Sequence, residues 1–171
     1  MKVIDDFLYE QDFKDLEDYI LGPAVHWKYN PFKVKQSEDT DSFQFVHVVF
    51  EPTRFPVSIE RSMVACDPIF ATLTKRHQFD IMHRVKINLT PRTVEHNYTA
   101  WHTDTKQHNK TAIFYVNTNN GFTRFKDGTK VMSKANRMVI FDAQTEHSGV
   151  TCTDEKVRVV ININYFPKIL T

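Results

Sequence analysis

Apolar positions follow two different rhythms along this chain, and the change of rhythm divides it. Over residues 10–21, Phe13, Leu16 and Ile20 recur at helical spacing on one stripe, and Gly22-Pro23 ends the segment. Residues 57–76 predict a second helix with Ile59, Met63, Cys66, Phe70 and Leu73 on one face, kinked or split at Pro68. From there the rhythm is mostly that of strands. Residues 43–50 are aromatic and β-branched. Over 81–89, Ile81, Val85, Ile87 and Leu89 alternate with Met82, Arg84, Lys86 and Asn88. Residues 111–117, 122–126, 137–141 and 157–165 predict further short strands. Asn119-Asn120-Gly121, Asp127-Gly128 and Asn136-Arg137 supply turns between them. Helices followed by many short strands predict a mainly β domain, with helices packed on one face of a sandwich or double-sheet roll.

The last strand is the most informative. Val157, Val159, Ile161 and Ile163 form one face, and Arg158, Val160, Asn162 and Asn164 the other. The apolar face requires a packing partner. The polar face belongs either in water or in a lined cavity, and the strand alone does not decide between them.

Composition narrows the function classes. The 171 residues carry 22 Lys and Arg against 21 Asp and Glu, a balance that argues against a generic nucleic-acid binder. With only 4 Gly, a glycine-rich nucleotide loop is not expected. Cys66 and Cys152 are too few for a disulfide framework or a Cys-rich zinc site and read as reduced thiols. No apolar run reads as a signal peptide or membrane span, so a cytoplasmic, soluble protein without a membrane partner is expected.

Histidine is over-represented, with 8 in the chain, and three residues form a chemical pattern. His102 and Asp104 stand at i and i+2, and on an extended segment such positions point the same way. His147 follows the strand ending at Asp142. Two imidazoles and one carboxylate on one side of an ion leave positions open opposite, the facial arrangement of non-haem Fe(II) oxygenases. Arg158, on the polar face of the last strand, is a bidentate partner for the far carboxylate of a dicarboxylic cosubstrate. Lys156, two residues earlier and on the same face by parity, is the competing cation. His26, His47, His77 and His83 lie away from the pattern, and His96 and His108 flank it.

With those residues in place, the chain resembles the 2-oxoglutarate- and Fe(II)-dependent dioxygenases, in the branch related to prolyl 4-hydroxylases. The matching segments are Trp101-His102-Thr103-Asp104, residues 113–117, residues 121–125, His147-Ser148-Gly149 and residues 158–166. The resemblance implies a double-stranded β-helix (a jelly roll, cupin-like) with N-terminal supporting helices packed on one sheet. It implies one domain over 1–171, with a helical support layer at about 1–79 and the metal-binding motifs at about 80–166. His102, Asp104 and His147 are implied as iron ligands, Arg158 as the 2-oxoglutarate partner, and Tyr115 as a hydrogen-bond donor to the same carboxylate. Asn162 and Asn164 match pocket positions on the last strand, which turns its polar face into the barrel. Asn88, Tyr98, Trp101 and Thr123 are further pocket-lining candidates.

The implied chemistry uses Fe(II), 2-oxoglutarate as cosubstrate and O2, and releases succinate and CO2 as substrate is hydroxylated. Catalysis then runs through the metal, with no general base required. The expected substrate is a peptide or protein side chain, an amino acid or another small molecule. Two alternatives stay open: a nucleic-acid demethylase of the same superfamily, and a non-catalytic metal-binding jelly roll. Asn164 stands where the demethylases carry a second arginine.

Overall fold

The computed structural model describes residues 1–33, 43–52, 61–107 and 109–168. The start of the second expected helix, including Ile59, and His108 lie outside the described residues. The elements follow in the order β1 (Lys2–Ile4), α1 (Glu10–Leu21), β2 (Lys28–Asn30), β3 (Gln44–Phe50), α2 (Arg61–Arg76) and β4 (Phe79–Pro91). There follow β5 (Lys110–Tyr115), β6 (Phe122–Phe125), β7 (Lys130–Met132), β8 (Arg137–Asp142), β9 (His147–Val150) and β10 (Val157–Pro167).

Two antiparallel sheets make a jelly roll. The larger has the order β1-β8-β5-β10-β4-β3-β2, and the smaller has β7-β6-β9. Strands β1, β2 and β3 extend the large sheet at its two edges, so the residues before 80 supply sheet as well as helices. No helix among the described residues is long and apolar enough to cross a membrane.

The large sheet has two dissimilar faces. On one, Val85, Ile87, Phe114, Met138, Val159, Ile161 and Ile163 pack with Leu16 and Ile20 of α1 and with Cys66, Ile69 and Leu73 of α2. Phe7 and Phe13 meet the Phe114 ring edge-on, at 6.2 Å each. On the other face, Ile113, Tyr115, Val139, Phe141 and Val160 pack against Phe125 and Val131 of the small sheet. The expected apolar and polar faces of the last strand therefore divide between the helices and the interior of the roll.

Two local expectations are corrected. Helix α2 continues through Pro68, so the expected split does not occur. The carbonyl that Pro68 deprives of a donor belongs to Val64, which is 57% exposed, so solvent can replace the lost bond. The buried stripe is Ser62, Cys66, Ile69 and Leu73, with Met63 and Phe70 beside it. In β4 the expected alternation breaks at its N-terminal end. Asn164 pairs with Arg84 but Tyr165 pairs with Met82, so a bulge at His83 reverses the parity. Met82 packs on the helical core and Ile81 is 58% exposed.

The bulge makes Ile81 and Ile161 opposites. Ile161→Ala, at a fully buried site, is expected to cost about 2–5 kcal/mol in urea unfolding. Ile81→Ala is expected to change stability by less than about 0.5 kcal/mol. Comparable losses at both positions would contradict the register.

Candidate metal centre

The segment 97–104 carries two of the three expected ligands, and backbone hydrogen bonds lay it along β9. Thr151 N donates to Asn97 O at 3.0 Å, and Thr99 N to Gly149 O at 3.0 Å. His102 and His147 exchange both backbone bonds, at 3.1 and 3.0 Å. Asp104 N then bonds Ala143 O at 3.2 Å. A strand-like strap thus brings His102 directly opposite His147 and places Asp104 above the large sheet.

One donor atom from each of His102, Asp104 and His147 lies within 4.8 Å of the other two. Both rings are oriented from behind. His102 Nδ1 is 3.0 Å from Ala100 O, and His147 Nδ1 is 2.9 Å from Thr145 O. A carbonyl only accepts, so each Nδ1 carries a proton and Nε2 is the ring nitrogen left to face the cluster. His147 Nε2 stands 3.9 Å from Asp104 Oδ2. Phe125 and Phe141 wall the His147 ring at 6.2 and 5.0 Å.

Burial pushes the His147 imidazole below its ordinary pKa, with the Asp104 charge opposing it. Burial alone would raise the Asp104 carboxyl. His147, the Thr111 hydroxyl, His102 and Arg84 outweigh that effect and hold it below the usual carboxylate range. A neutral imidazole beside an ionised carboxylate is the protonation state that metal ligation requires.

These residues open onto a cavity of about 520 Å³ between the two sheets, lined also by Asn88, Thr123, Val160, Asn162 and Arg158. Arg158 is only 6% exposed. Its Nε donates to Ser133 Oγ at 2.9 Å, its NH2 to Thr123 Oγ1 at 3.2 Å, and its guanidinium lies 5.6 Å from the Tyr115 ring centre. Among the described residues no carboxylate comes within ion-pair range of it. Burial pushes its pKa down, yet a guanidinium stays charged in a protein. A buried cation without a counter-ion is costly, and the cavity beside it has room for an anion.

No family model matches the sequence, and no curated protein matches it. Solved structures do. A prolyl-4-hydroxylase from Pseudomonas putida superposes with a TM-score of 0.63 at 13% identity, over 98% of this chain and 92% of that one. A prolyl hydroxylase from Trichoplax adhaerens, in complex with a peptide fragment of hypoxia inducible factor, gives 0.68 at 12% identity, over 97% and 83%. The chain has the prolyl-hydroxylase fold. A non-heme alpha-ketoglutarate-dependent epimerase from nogalamycin biosynthesis, SnoN, is similar as well, with 0.61 at 12% identity over 96% and 76%.

Within that fold the other expected site residues separate. Asn88, Thr123 and Asn162 line the cavity. Tyr115 and Asn164 are fully buried behind its wall. Tyr115 Oη donates to Thr123 Oγ1 at 2.8 Å, and Asn164 Nδ2 reaches Asp104 Oδ2 at 3.3 Å. Tyr98 and Trp101 stand outside the cavity, where their rings clamp the Arg124 guanidinium, each 4.4 Å from it. Lys156 is exposed and precedes β10, while Arg158 faces inward. His96 lies on the outer side of the small sheet, its Nδ1 2.7 Å from Thr151 O and its ring 5.7 Å from Phe122.

Sequence reasoning missed Thr111, Ser133 and Gly121. Gly121 stands so close to Arg158 that an added Cβ would come 2.7 Å from Arg158 Cδ, 2.8 Å from Asn119 Oδ1 and 2.9 Å from Val150 O. Only glycine leaves the arginine its place. Gly121→Ala is expected to displace Arg158 and to cost about 1–3 kcal/mol in thermal or urea unfolding. An unchanged midpoint would show that the space is not needed.

Proposed function

We propose that the protein is an Fe(II)- and 2-oxoglutarate-dependent oxygenase that hydroxylates an amino-acid side chain, in a peptide or as the free amino acid. One observation carries the reading: a buried guanidinium with no counter-ion among the described residues shares one cavity with the His102–Asp104–His147 cluster. A three-ligand cluster beside an open cavity suits a catalytic ion, whereas a structural site is closed by a fourth protein ligand. Among the described residues no further His, Cys, Asp or Glu joins this cluster.

The donor set fits iron. Two imidazoles present Nε2, and an ionised carboxylate completes a facial triad. A buried acceptor beside the cluster is unpaired. Asn162 Nδ2 donates to both oxygens of Asp104, at 3.3 and 3.2 Å, which leaves its Oδ1 buried without a partner at the cavity wall. A donor on a bound molecule would satisfy it.

Fe(II), with 2-oxoglutarate and O2, supplies the oxidising chemistry, in which the cosubstrate leaves as succinate and CO2. The protein's part is binding and orientation. His102, Asp104 and His147 hold the ion. Arg158 takes the far carboxylate of 2-oxoglutarate by charge-assisted hydrogen bonds, and Ser133 and Thr123 hold its guanidinium in place. Tyr115, a neutral phenol because burial raises its pKa, fixes the Thr123 hydroxyl. Phe125 and Phe141 back the His147 ring with apolar surface, and Val160 lines the cavity. The peptide bound in the Trichoplax adhaerens structure supports a peptide side chain as substrate.

Succinate formation from 2-oxoglutarate, with Fe(II) and in air, is the direct test. His102→Ala and Asp104→Ala are expected to abolish it together with Mn(II) binding. Arg158→Met should leave Mn(II) affinity within about twofold and raise the Kd for 2-oxoglutarate by about 10–100-fold, the worth of a charge-assisted pair. Lys156→Met should change neither. An iron-loaded protein that never consumes 2-oxoglutarate, even without substrate, would end the oxygenase reading.

A further inference from the structure

The candidate ligand Asp104 is held by a row of side chains that spans three strands. In the large sheet Asn164 of β10 pairs directly with Arg84 of β4 on one side and with Thr111 of β5 on the other. Directly paired residues of antiparallel strands project to the same face. Their hydrogen bonds form a chain with defined directions. Arg84 Nε donates to Asn164 Oδ1 at 3.1 Å. An arginine only donates, so the Asn164 amide is turned with its oxygen toward Arg84 and its nitrogen toward Asp104. Asn164 Nδ2 then donates to Thr111 Oγ1 at 3.0 Å and to Asp104 Oδ2 at 3.3 Å. Because the Thr111 oxygen already accepts from Asn164, its own proton goes to Asp104 Oδ2, at 2.7 Å. The Arg84 guanidinium also stands 3.8 Å from Asp104 Oδ1.

The alternative is that these groups only satisfy one another in a buried corner. Two observations count against it. The Thr111 hydroxyl proton and an Asn164 amide proton both end on the carboxylate, and the Arg84 charge stands beside it. A carboxylate buried with these donors is turned before an ion arrives, which removes part of the ordering cost of binding.

We propose that Arg84, Asn164 and Thr111 are positioning residues that orient the Asp104 carboxylate toward His102 and His147, with Arg84 acting both through the Asn164 amide and by its own charge beside the carboxylate. This rests on the metal-binding half of the function proposed above. Asn164 and Thr111 are fully buried behind the cavity wall, while Arg84 lines the cavity as well.

The test is Mn(II) binding to the metal-free full chain, followed by electron paramagnetic resonance. Thr111→Val removes the hydroxyl at constant shape, Thr111→Ser keeps it, Asn164→Leu removes the amide, and Arg84→Met removes the guanidinium. Thr111→Val and Asn164→Leu are each expected to weaken Mn(II) binding by about 10–100-fold, the usual cost of losing a partner behind a ligand. Thr111→Ser should stay within about threefold of the wild type. Arg84→Met should weaken binding on its own but cost less in the Asn164→Leu background than in the wild type, since part of its effect passes through that amide. Circular dichroism confirms folding of each variant. If Asn164→Leu does not fold, Asn164→Ala takes its place in the same cycle with Arg84→Met.

Wild-type affinity in Thr111→Val, an equal loss in Thr111→Ser, or full additivity of Arg84→Met with its partner would overturn the proposal. A wild-type chain that binds no Mn(II) would instead overturn the metal centre itself.

Discussion

Strand β10 has to satisfy two opposite surroundings along a single run of backbone. Its odd-numbered residues from Val159 to Ile163 fill the core under the helices, while its even-numbered residues from Arg158 to Asn164 face the interior of the roll. A slip of one residue would place Arg158 and Asn164 against α1 and α2 and bring isoleucines to the candidate metal centre. Pairing on both sides, with β4 and β5, prevents that slip. The apolar face thereby secures the position of the polar one. The helices, though distant from the cavity, are the reason the arginine points into it.

Burial of the polar face has an energetic consequence. The interior holds a carboxylate and a guanidinium that are not paired with each other: Asp104 has the half-buried Arg84 at 3.8 Å, and among the described residues Arg158 has only neutral partners. Such an arrangement stabilises a fold less than an apolar core of the same volume would. Its compensation is a site whose protonation states and ring orientations are set in advance. Stability given up at one place for pre-set geometry is the usual relation between scaffold and function.

Much of this was legible in the residues. The alternation in β10 is visible because both of its faces are strongly marked, and the i, i+2 spacing of His102 and Asp104 survives because 97–104 is extended along β9. The bulge at His83 was not legible, since a bulge inserts a residue without any change of composition, and Ile81 looks like a core residue in either register. Pro68 misled for a related reason: its effect on α2 depends on whether the carbonyl it leaves unpaired meets solvent. Thr111 carries no signal of its own. Its link to Asp104 appears only when β5 is laid beside β10, a pairing between distant stretches of chain. Tyr98 and Trp101 looked like pocket residues because they neighbour the ligands in sequence, but a strap has two sides and theirs is the outer one.

That outer side has a bearing on how the molecule tolerates change. The strap carries two of the three candidate ligands, and one of its attachments is a cation gripped between two rings on the far side of the small sheet, with Arg124 Nε also donating to Ser148 Oγ at 3.2 Å next to His147. The exterior of the small sheet is therefore mechanically continuous with the interior. A designer free to redecorate most of this surface would find the patch around Arg124 the least forgiving, because its side chains serve as the fastening for chemistry on the opposite side of the wall.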